Sequence, residues 1–129
     1  MPKHAVSSPN APKAIGPYSP AVRVGQLLFI SGQIPLDPQT GAIVDGDVRA
    51  QTRRVFESIG ALLSAGGLGY DDVVRTTVFL ADLEDFAAMN EVYGSYFGAP
   101  PPARSTVQVA RLPKNARLEI DVIASYDAR

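Results

Sequence analysis

Residues 100–126 read PPPARSTVQVARLPKNARLEIDVIASY. Most of this stretch predicts two β-strands joined by a turn at residues 113–116. The joining segment is too short for a crossover, so the strands run antiparallel, either as neighbours or with one strand between them. Arg104 begins the first strand after three prolines, and Glu119 lies inside the second. These two charges raise the question of whether one small molecule contacts both.

Three further strands are predicted before this stretch. Two short apolar runs, at 21–24 and 27–31, flank a glycine-containing pair and predict a hairpin. A run rich in β-branched residues at 73–81 predicts the third strand. The four prolines of 7–20 and the turn composition of 37–41 predict irregular segments.

Two helices are predicted from apolar residues at helical spacing. The first begins after Asp47, which can cap it, and ends at the glycine pair 66–67. The second begins after Asp82. Its apolar stripe comprises Phe86, Met89, Tyr93, Tyr96 and Phe97. The predicted order is β-β-α-β-α-β-β, an α+β domain with a mixed sheet and both helices packed on one face. The other face keeps apolar side chains, so we expect a second subunit to cover it.

The composition limits the classes of function. The 129 residues fit one domain, 1–129, and the net charge of −1 offers no basic stripe for nucleic acid. The chain has no Cys and one His, His4, which we expect in a mobile terminus. A transition-metal site, a thiolate nucleophile and a Ser-His-Asp triad are therefore not expected. No apolar run suits a signal peptide or a bilayer span, which predicts a soluble, cytoplasmic protein.

Three polar residues are candidates for binding. The three prolines before Arg104 restrict the backbone, so its guanidinium is well placed to bind a carboxylate. An arginine judged alone is, however, more often a simple surface residue. Glu119 could likewise be only a solvated residue on a strand. Asn90 lies on the apolar stripe of the second helix, where it either satisfies a loop carbonyl or borders a ligand site.

Four segments then match known motifs in order and spacing. They are NAPKAIGPYSPAV at 10–22, FISGQIPLDPQTG at 29–41, TTVFLADLEDFAAMNEVY at 76–93 and PARSTVQVARLPKNARLEIDVIA at 102–124. Together they cover nearly the whole chain, which resembles the RidA family of enamine/imine deaminases. The resemblance implies a fold similar to Bacillus-type chorismate mutase. In that fold the last strand lies inside the sheet, beside the strand at 73–81.

The resemblance also implies an activity. Family members hydrolyse reactive 2-imino and 2-enamino acids, such as 2-iminobutanoate and 2-iminopropanoate, to 2-keto acids and ammonia. Their substrates are released by pyridoxal-phosphate enzymes, and the members are typically homotrimers with a site in each subunit cleft. Water adds to the C=N carbon and ammonia then leaves, so the protein must hold the carboxylate, place a water and move a proton. No cofactor or metal is expected.

The family motifs assign three catalytic residues. Arg104 matches the arginine of the P-A-R-S motif, which holds the substrate carboxylate. Glu119 matches the acidic residue of the last strand, which is associated with the attacking water. Tyr18 matches the tyrosine of G-P-Y-S, which lines the site.

The substrate-binding residues implied by the resemblance are Arg104 again, Ser31, Gly32, Asn90 and Thr106. Many relatives carry cysteine at the position of Thr106, which argues against an essential thiol and for a role of its backbone. Pro101 replaces an aromatic residue common before P-A-R-S. The loop at 97–104 also looks about three residues shorter than in common bacterial members, which leaves the preferred imino-acid side chain open.

Two alternatives stay open at this point. One is a non-catalytic binding module for small carboxylates or protein partners. The other is the ribonuclease or translation-inhibition role attributed to some relatives, against which the net charge counts.

The strand geometry predicts where the two charges lie. With the turn centred near residue 114.5, Arg104 and Glu119 are offset by about six residues, or ~20 Å at the usual rise. A four-carbon imino acid cannot span that distance. If both residues act on one substrate, they must come from different subunits.

Overall fold

A computed structural model describes residues 2–128. A mixed β-sheet forms one layer of the molecule. Its strands are β1 (His4–Val6), β2 (Ala21–Val24), β3 (Leu27–Gln33), β4 (Val73–Leu80), β5 (Ala103–Gln108) and β6 (Leu118–Ser125). The sheet order is β1-β2-β3-β6-β4-β5. The pair β4–β5 is parallel, and the other neighbours are antiparallel. The last strand therefore lies inside the sheet beside β4, as the family resemblance implies.

Two helices form the second layer, α1 (Val48–Ala65) and α2 (Phe86–Gly94). The Asp47 side chain caps α1 by accepting from the Ala50 backbone N–H at 3.1 Å. At the other end, Gly67 adopts φ +82°, a left-handed conformation that favours glycine. No helix among residues 2–128 has the length and apolar character needed to cross a bilayer.

The pleat of β6 separates the two faces of the sheet. Its buried residues, which face the helices, are Leu118, Ile120, Val122 and Ala124. The alternate residues, including Glu119 and Asp121, lie on the opposite face, where no helix packs. Exposed apolar side chains remain on that open face, namely Leu27, Phe29 and Val107. The expectation of an α+β fold with both helices on one sheet face is confirmed.

Three details of the predicted elements are wrong. His4 lies in β1, an additional strand before the first predicted one. Because β1 pairs with β2, His4 is not in a mobile terminus. The residues after Asp82 first form a 3₁₀ turn, Leu83–Asp85, and α2 begins only at Phe86. Tyr96 lies beyond the end of α2. It completes the apolar stripe anyway, because its ring stacks on Phe56 at 4.4 Å.

The predicted offset between the two charges is also wrong. Gln108 of β5 and Leu118 of β6 both pair with Leu80 of β4. The connection between β5 and β6 is therefore centred at residue 113 and not near 114.5. Arg104 lies level with Val122, so Glu119 is displaced from it by three residues, or about 10 Å along the strands. The antiparallel direction of β5 and β6 is as predicted, with β4 between them.

The packing of Tyr70 against α1 generates a stability prediction. The Tyr70 hydroxyl donates to the Phe56 carbonyl at 2.7 Å, and a Cβ at Gly60 would overlap that hydroxyl. Burial raises the pKa of Tyr70 to about 12, so the donor stays protonated near neutral pH. Alanine is normally the better helix former by about 1 kcal/mol. Gly60→Ala should nevertheless destabilise the protein by about 1–3 kcal/mol, as overpacking does.

Chemical denaturation of four variants tests this. The control is Gly94→Ala, since a Cβ at Gly94 meets nothing within 4 Å and should leave stability unchanged or raised. In a Tyr70→Phe background, Gly60→Ala should cost less, because the overlapping oxygen is gone. A stabilised Gly60→Ala protein would contradict this packing.

Candidate functional site

Glu119 lies on the open face of β6 in a half-buried position. Burial is the larger cause that raises the pKa of its carboxyl group above the ordinary glutamate value, and the nearby Asp121 carboxylate raises it further. The carboxylate packs directly over Gly32, where a Cβ would overlap it. A glycine at this position therefore makes room for the acid.

A bulge in β3 places Ser31 and Gly32 beside this carboxylate. The register of β3 with β6 shifts between Ile30 and Gln33, which marks the extra residue. The buried Gln33 side chain donates to the Ser31 carbonyl at 3.0 Å and supports the bulge from within. The role of Gln33 was missed from the sequence, although it stands next to the matched S-G pair.

Tyr18 is held against the bulge by the segment that precedes β2. The Ser31 hydroxyl donates to the Ser19 carbonyl at 2.7 Å, and the Ser31 N–H donates to the Pro20 carbonyl at 2.9 Å. The Tyr18 hydroxyl accepts from the Ile15 N–H at 3.2 Å. Its own proton is then available to a ligand or a water.

A cavity of about 560 Å³ joins these groups. Four of the predicted residues line it together, namely Tyr18, Ser31, Gly32 and Glu119. We call these four residues the Glu119 half-site. The sequence did not single out the apolar and basic residues of the same wall, which include Ile15, Leu36 and Lys114. Lys114 adopts φ 55°, and its ammonium donates to the Gly41 carbonyl at 2.8 Å.

Arg104 occupies a different environment, between β5 and α2. Its Nη1 donates to Asn90 Oδ1 at 2.8 Å, and its Cζ lies 4.6 Å from the centroid of the Tyr93 ring and 5.5 Å from that of Phe86. Among residues 2–128, no carboxylate lies within ion-pair distance of it. The guanidinium is therefore fixed in place while its charge stays unneutralised, an arrangement suited to an anionic ligand.

Thr106 lies two residues further along β5, with its side chain on the same side. Its hydroxyl is buried and has no hydrogen-bond partner in the described part of the chain. The Val109 N–H donates to the Leu80 carbonyl of β4. By the alternation of an extended strand, the backbone N–H of Thr106 points away from β4, at the free edge of the sheet. The backbone, not the hydroxyl, is therefore what Thr106 can offer to a ligand.

We call Arg104, Asn90 and Thr106 the Arg104 half-site. One chain does not bring the two half-sites together. Arg104 pairs with the buried Thr76 and faces the helices, whereas Glu119 faces away from them. Two strand spacings, about 10 Å in total, and the sheet itself separate the residues. Among residues 2–128, no group of three His, Asp or Glu side chains is placed to hold a metal ion.

The buried hydroxyl of Thr106 generates a second prediction. Because an unsatisfied buried polar group costs about 1–3 kcal/mol, Thr106→Val should leave the melting temperature unchanged or raise it. The matched control is Thr76→Val, which removes a buried hydroxyl bonded to the Tyr93 hydroxyl at 2.7 Å and should lower it. Thermal unfolding of both variants is the measurement. A clear loss of stability in Thr106→Val would show that its hydroxyl has a partner after all.

Comparisons with known proteins agree with these motifs. The family model described as endoribonuclease L-PSP matches residues 8–126. The chain is 50% identical to Reactive Intermediate Deaminase A, chloroplastic, of Arabidopsis thaliana, over 95% of this chain and 66% of that protein. It is 45% identical to the 2-iminobutanoate/2-iminopropanoate deaminase of Mus musculus, over 95% of this chain and 90% of that protein.

A solved structure shows the same fold. The crystal structure of E. coli TdcF with bound serine superposes with a TM-score of 0.90 at 47% identity, covering 95% of this chain and 98% of that one. The match of the family model over almost the whole chain identifies the family. The protein belongs to the L-PSP family of Rid proteins, which includes named imine deaminases.

Proposed function

We propose that the protein is a cofactor-independent deaminase of 2-imino and 2-enamino acids, such as 2-iminobutanoate and 2-iminopropanoate. It converts them to 2-keto acids and ammonia and so protects the pyridoxal-phosphate enzymes near which they arise. The observation that carries the proposal is the pair of half-sites. One presents a fixed, unpaired guanidinium, and the other presents a half-buried carboxyl group beside a cavity.

Arg104 binds the substrate carboxylate in this proposal. Its Nη1 is engaged by Asn90, and the same guanidinium keeps further N–H donors for two parallel hydrogen bonds. The outward backbone N–H of Thr106 is a further donor at the sheet edge. The named deaminase relatives and a relative crystallised with serine, an amino acid with its own carboxylate, support a small α-carboxylate ligand.

Glu119 activates the water. As a carboxylate it accepts a proton from the water that adds to the C=N carbon and passes that proton to the imine nitrogen, which gives a carbinolamine with a hydroxyl and an amino group. Glu119 then accepts the hydroxyl proton and transfers it to the amino nitrogen, and ammonia leaves as the C–N bond breaks and the C=O bond forms. A pKa raised by burial brings the acid closer to the pH at which both transfers are needed. The Tyr18 hydroxyl, whose proton is free, orients the water or the developing oxyanion.

The complete site lies between two subunits in this proposal. Exposed apolar residues adjoin each half-site: Phe86 lies beside Arg104, while Ile15 and Tyr18 line the cavity beside Glu119. These patches are two different surfaces of the chain. Joining one to the other is a head-to-tail contact, which forms a ring when the rotation between neighbouring subunits closes. A homotrimer, which the family resemblance implies, has three such interfaces and three sites.

The activity is tested with an imine made in place. A dehydratase releases 2-iminobutanoate from threonine in the presence of a competing trapping amine, and 2-ketobutanoate formation is followed. The protein should raise the rate of keto-acid formation and lower the amount of trapped imine. Arg104→Lys should retain little activity, because an ammonium lacks the planar pair of N–H donors of a guanidinium. Glu119→Gln keeps the size of the side chain and removes only its ionisable proton.

Two other outcomes separate the alternatives. An unchanged rate, together with measurable binding of 2-ketobutanoate, would replace the deaminase by a binding module for small carboxylates. An unchanged rate with cleavage of added RNA would favour the ribonuclease role that the family description names.

The shared site is tested by mixing two inactive variants. Arg104→Ala and Glu119→Ala subunits, exchanged at equal ratio in a closed ring, leave about one interface in four with both residues intact. Activity should return to about a quarter of that of the unmodified protein. Mass spectrometry must first show that mixed oligomers have formed.

The matched control mixes Arg104→Ala with the double variant Arg104→Ala/Glu119→Ala. No subunit of that mixture carries an intact arginine, so no activity should return. If the first mixture also stays inactive although mixed oligomers are present, both residues act within one chain.

A further inference from the structure

A buried pair of hydroxyl groups lies next to Arg104. Thr76 of β4 pairs directly with Arg104 of β5, and both side chains point toward α2. The Tyr93 hydroxyl from α2 is 2.7 Å from the Thr76 hydroxyl. The same tyrosine ring lies 4.6 Å from the Arg104 Cζ. One aromatic side chain therefore contacts both members of a cross-strand pair.

We propose that Tyr93, anchored by Thr76, is a positioning residue that fixes the Arg104 guanidinium for carboxylate binding. The inference rests on the proposed function and adds Tyr93 and Thr76 to its machinery. Neither residue touches the substrate. Both act through the orientation of Arg104.

The contacts of the guanidinium explain why two supports are needed. Asn90 holds Nη1 through one hydrogen bond, which still allows the planar group to rotate about that contact. The face of the Tyr93 ring restricts this rotation, since a guanidinium is attracted to the π-face of an aromatic ring. Within residues 2–128, the edge formed by Nε and Nη2 has no hydrogen bond. That edge keeps two N–H donors for the ligand.

The hydroxyl pair fixes the ring itself. Thr76 is fully buried and Tyr93 nearly so, and each hydroxyl depends on the other for a partner. A rotation of the Tyr93 ring would leave both oxygens unsatisfied, which is costly in a buried place. Thr76, which is held in the sheet interior, therefore fixes the Tyr93 ring that lies against Arg104.

Two measurements on Tyr93→Leu test the proposal. The first is the ¹⁵N order parameter of Arg104 Nε by NMR, which requires no assumption about the substrate. It should fall relative to the unmodified protein. The second is the affinity for 2-ketobutanoate by calorimetry, which should weaken about tenfold. In the imine assay KM should rise while kcat changes little, because binding of the carboxylate is weakened in substrate and transition state alike.

Tyr96→Leu is the matched control. The Tyr96 ring belongs to the same aromatic cluster and stacks on Phe56, but it does not lie over Arg104. It should lose stability without loss of Arg104 order or of ligand affinity. Tyr93→Phe keeps the ring but removes its bond to Thr76, so Arg104 order and ligand affinity should fall, by less than in Tyr93→Leu. If Tyr93→Leu does not fold, Tyr93→Met serves in its place, since methionine fills the space without an aromatic face.

The outcomes separate the two proposals. An Arg104 side chain that stays ordered in Tyr93→Leu or Tyr93→Met, with unchanged affinity, overturns the positioning role. Loss of Arg104 order together with weaker binding supports it. Loss of Arg104 order with unchanged affinity supports positioning by Tyr93. The same result contradicts the proposal that Arg104 binds the carboxylate.

Discussion

The alternation of side chains along β6 determines the arrangement of the molecule. Leu118, Ile120 and Val122 are buried under the helices, so the residues between them must face the other way. Glu119 is one of these, and Gly32 leaves room for its half-buried carboxylate. A one-residue shift of β6 would bury the acid in the core and expose the leucine, which makes this register strongly favoured.

The same alternation separates the two halves of the proposed site. Because β5 is parallel to β4 and in register with it, Arg104 shares the helix-facing side with the buried Thr76. A guanidinium on one face and a carboxyl group on the other cannot hold one small substrate. Each, however, is bordered by exposed apolar side chains, which are unfavourable in water and favourable in a contact between subunits. Oligomerisation and formation of the site would then be one event.

Much of this fold was readable from the sequence, and the failures have local causes. The sequence pattern found α1 and five of the six strands, whereas β1 is three residues long and largely exposed. The separation of Arg104 and Glu119 was predicted, but the distance was wrong because the centre of an irregular connection cannot be counted from its ends. Motif matches placed Asn90 near the site. They did not show that its amide oxygen holds Arg104, since that contact depends on how α2 packs on the sheet.

In the proposed trimer, one substrate contacts Arg104 of one subunit and Glu119 of the next. A crystal structure with bound 2-ketobutanoate tests this arrangement. We expect the keto-acid carboxylate on the Nε and Nη2 atoms of Arg104, with its carbonyl carbon beside the Glu119 carboxyl group and Tyr18 hydroxyl of a neighbouring subunit. A keto acid held by residues of a single chain, or bound away from Arg104, would contradict it.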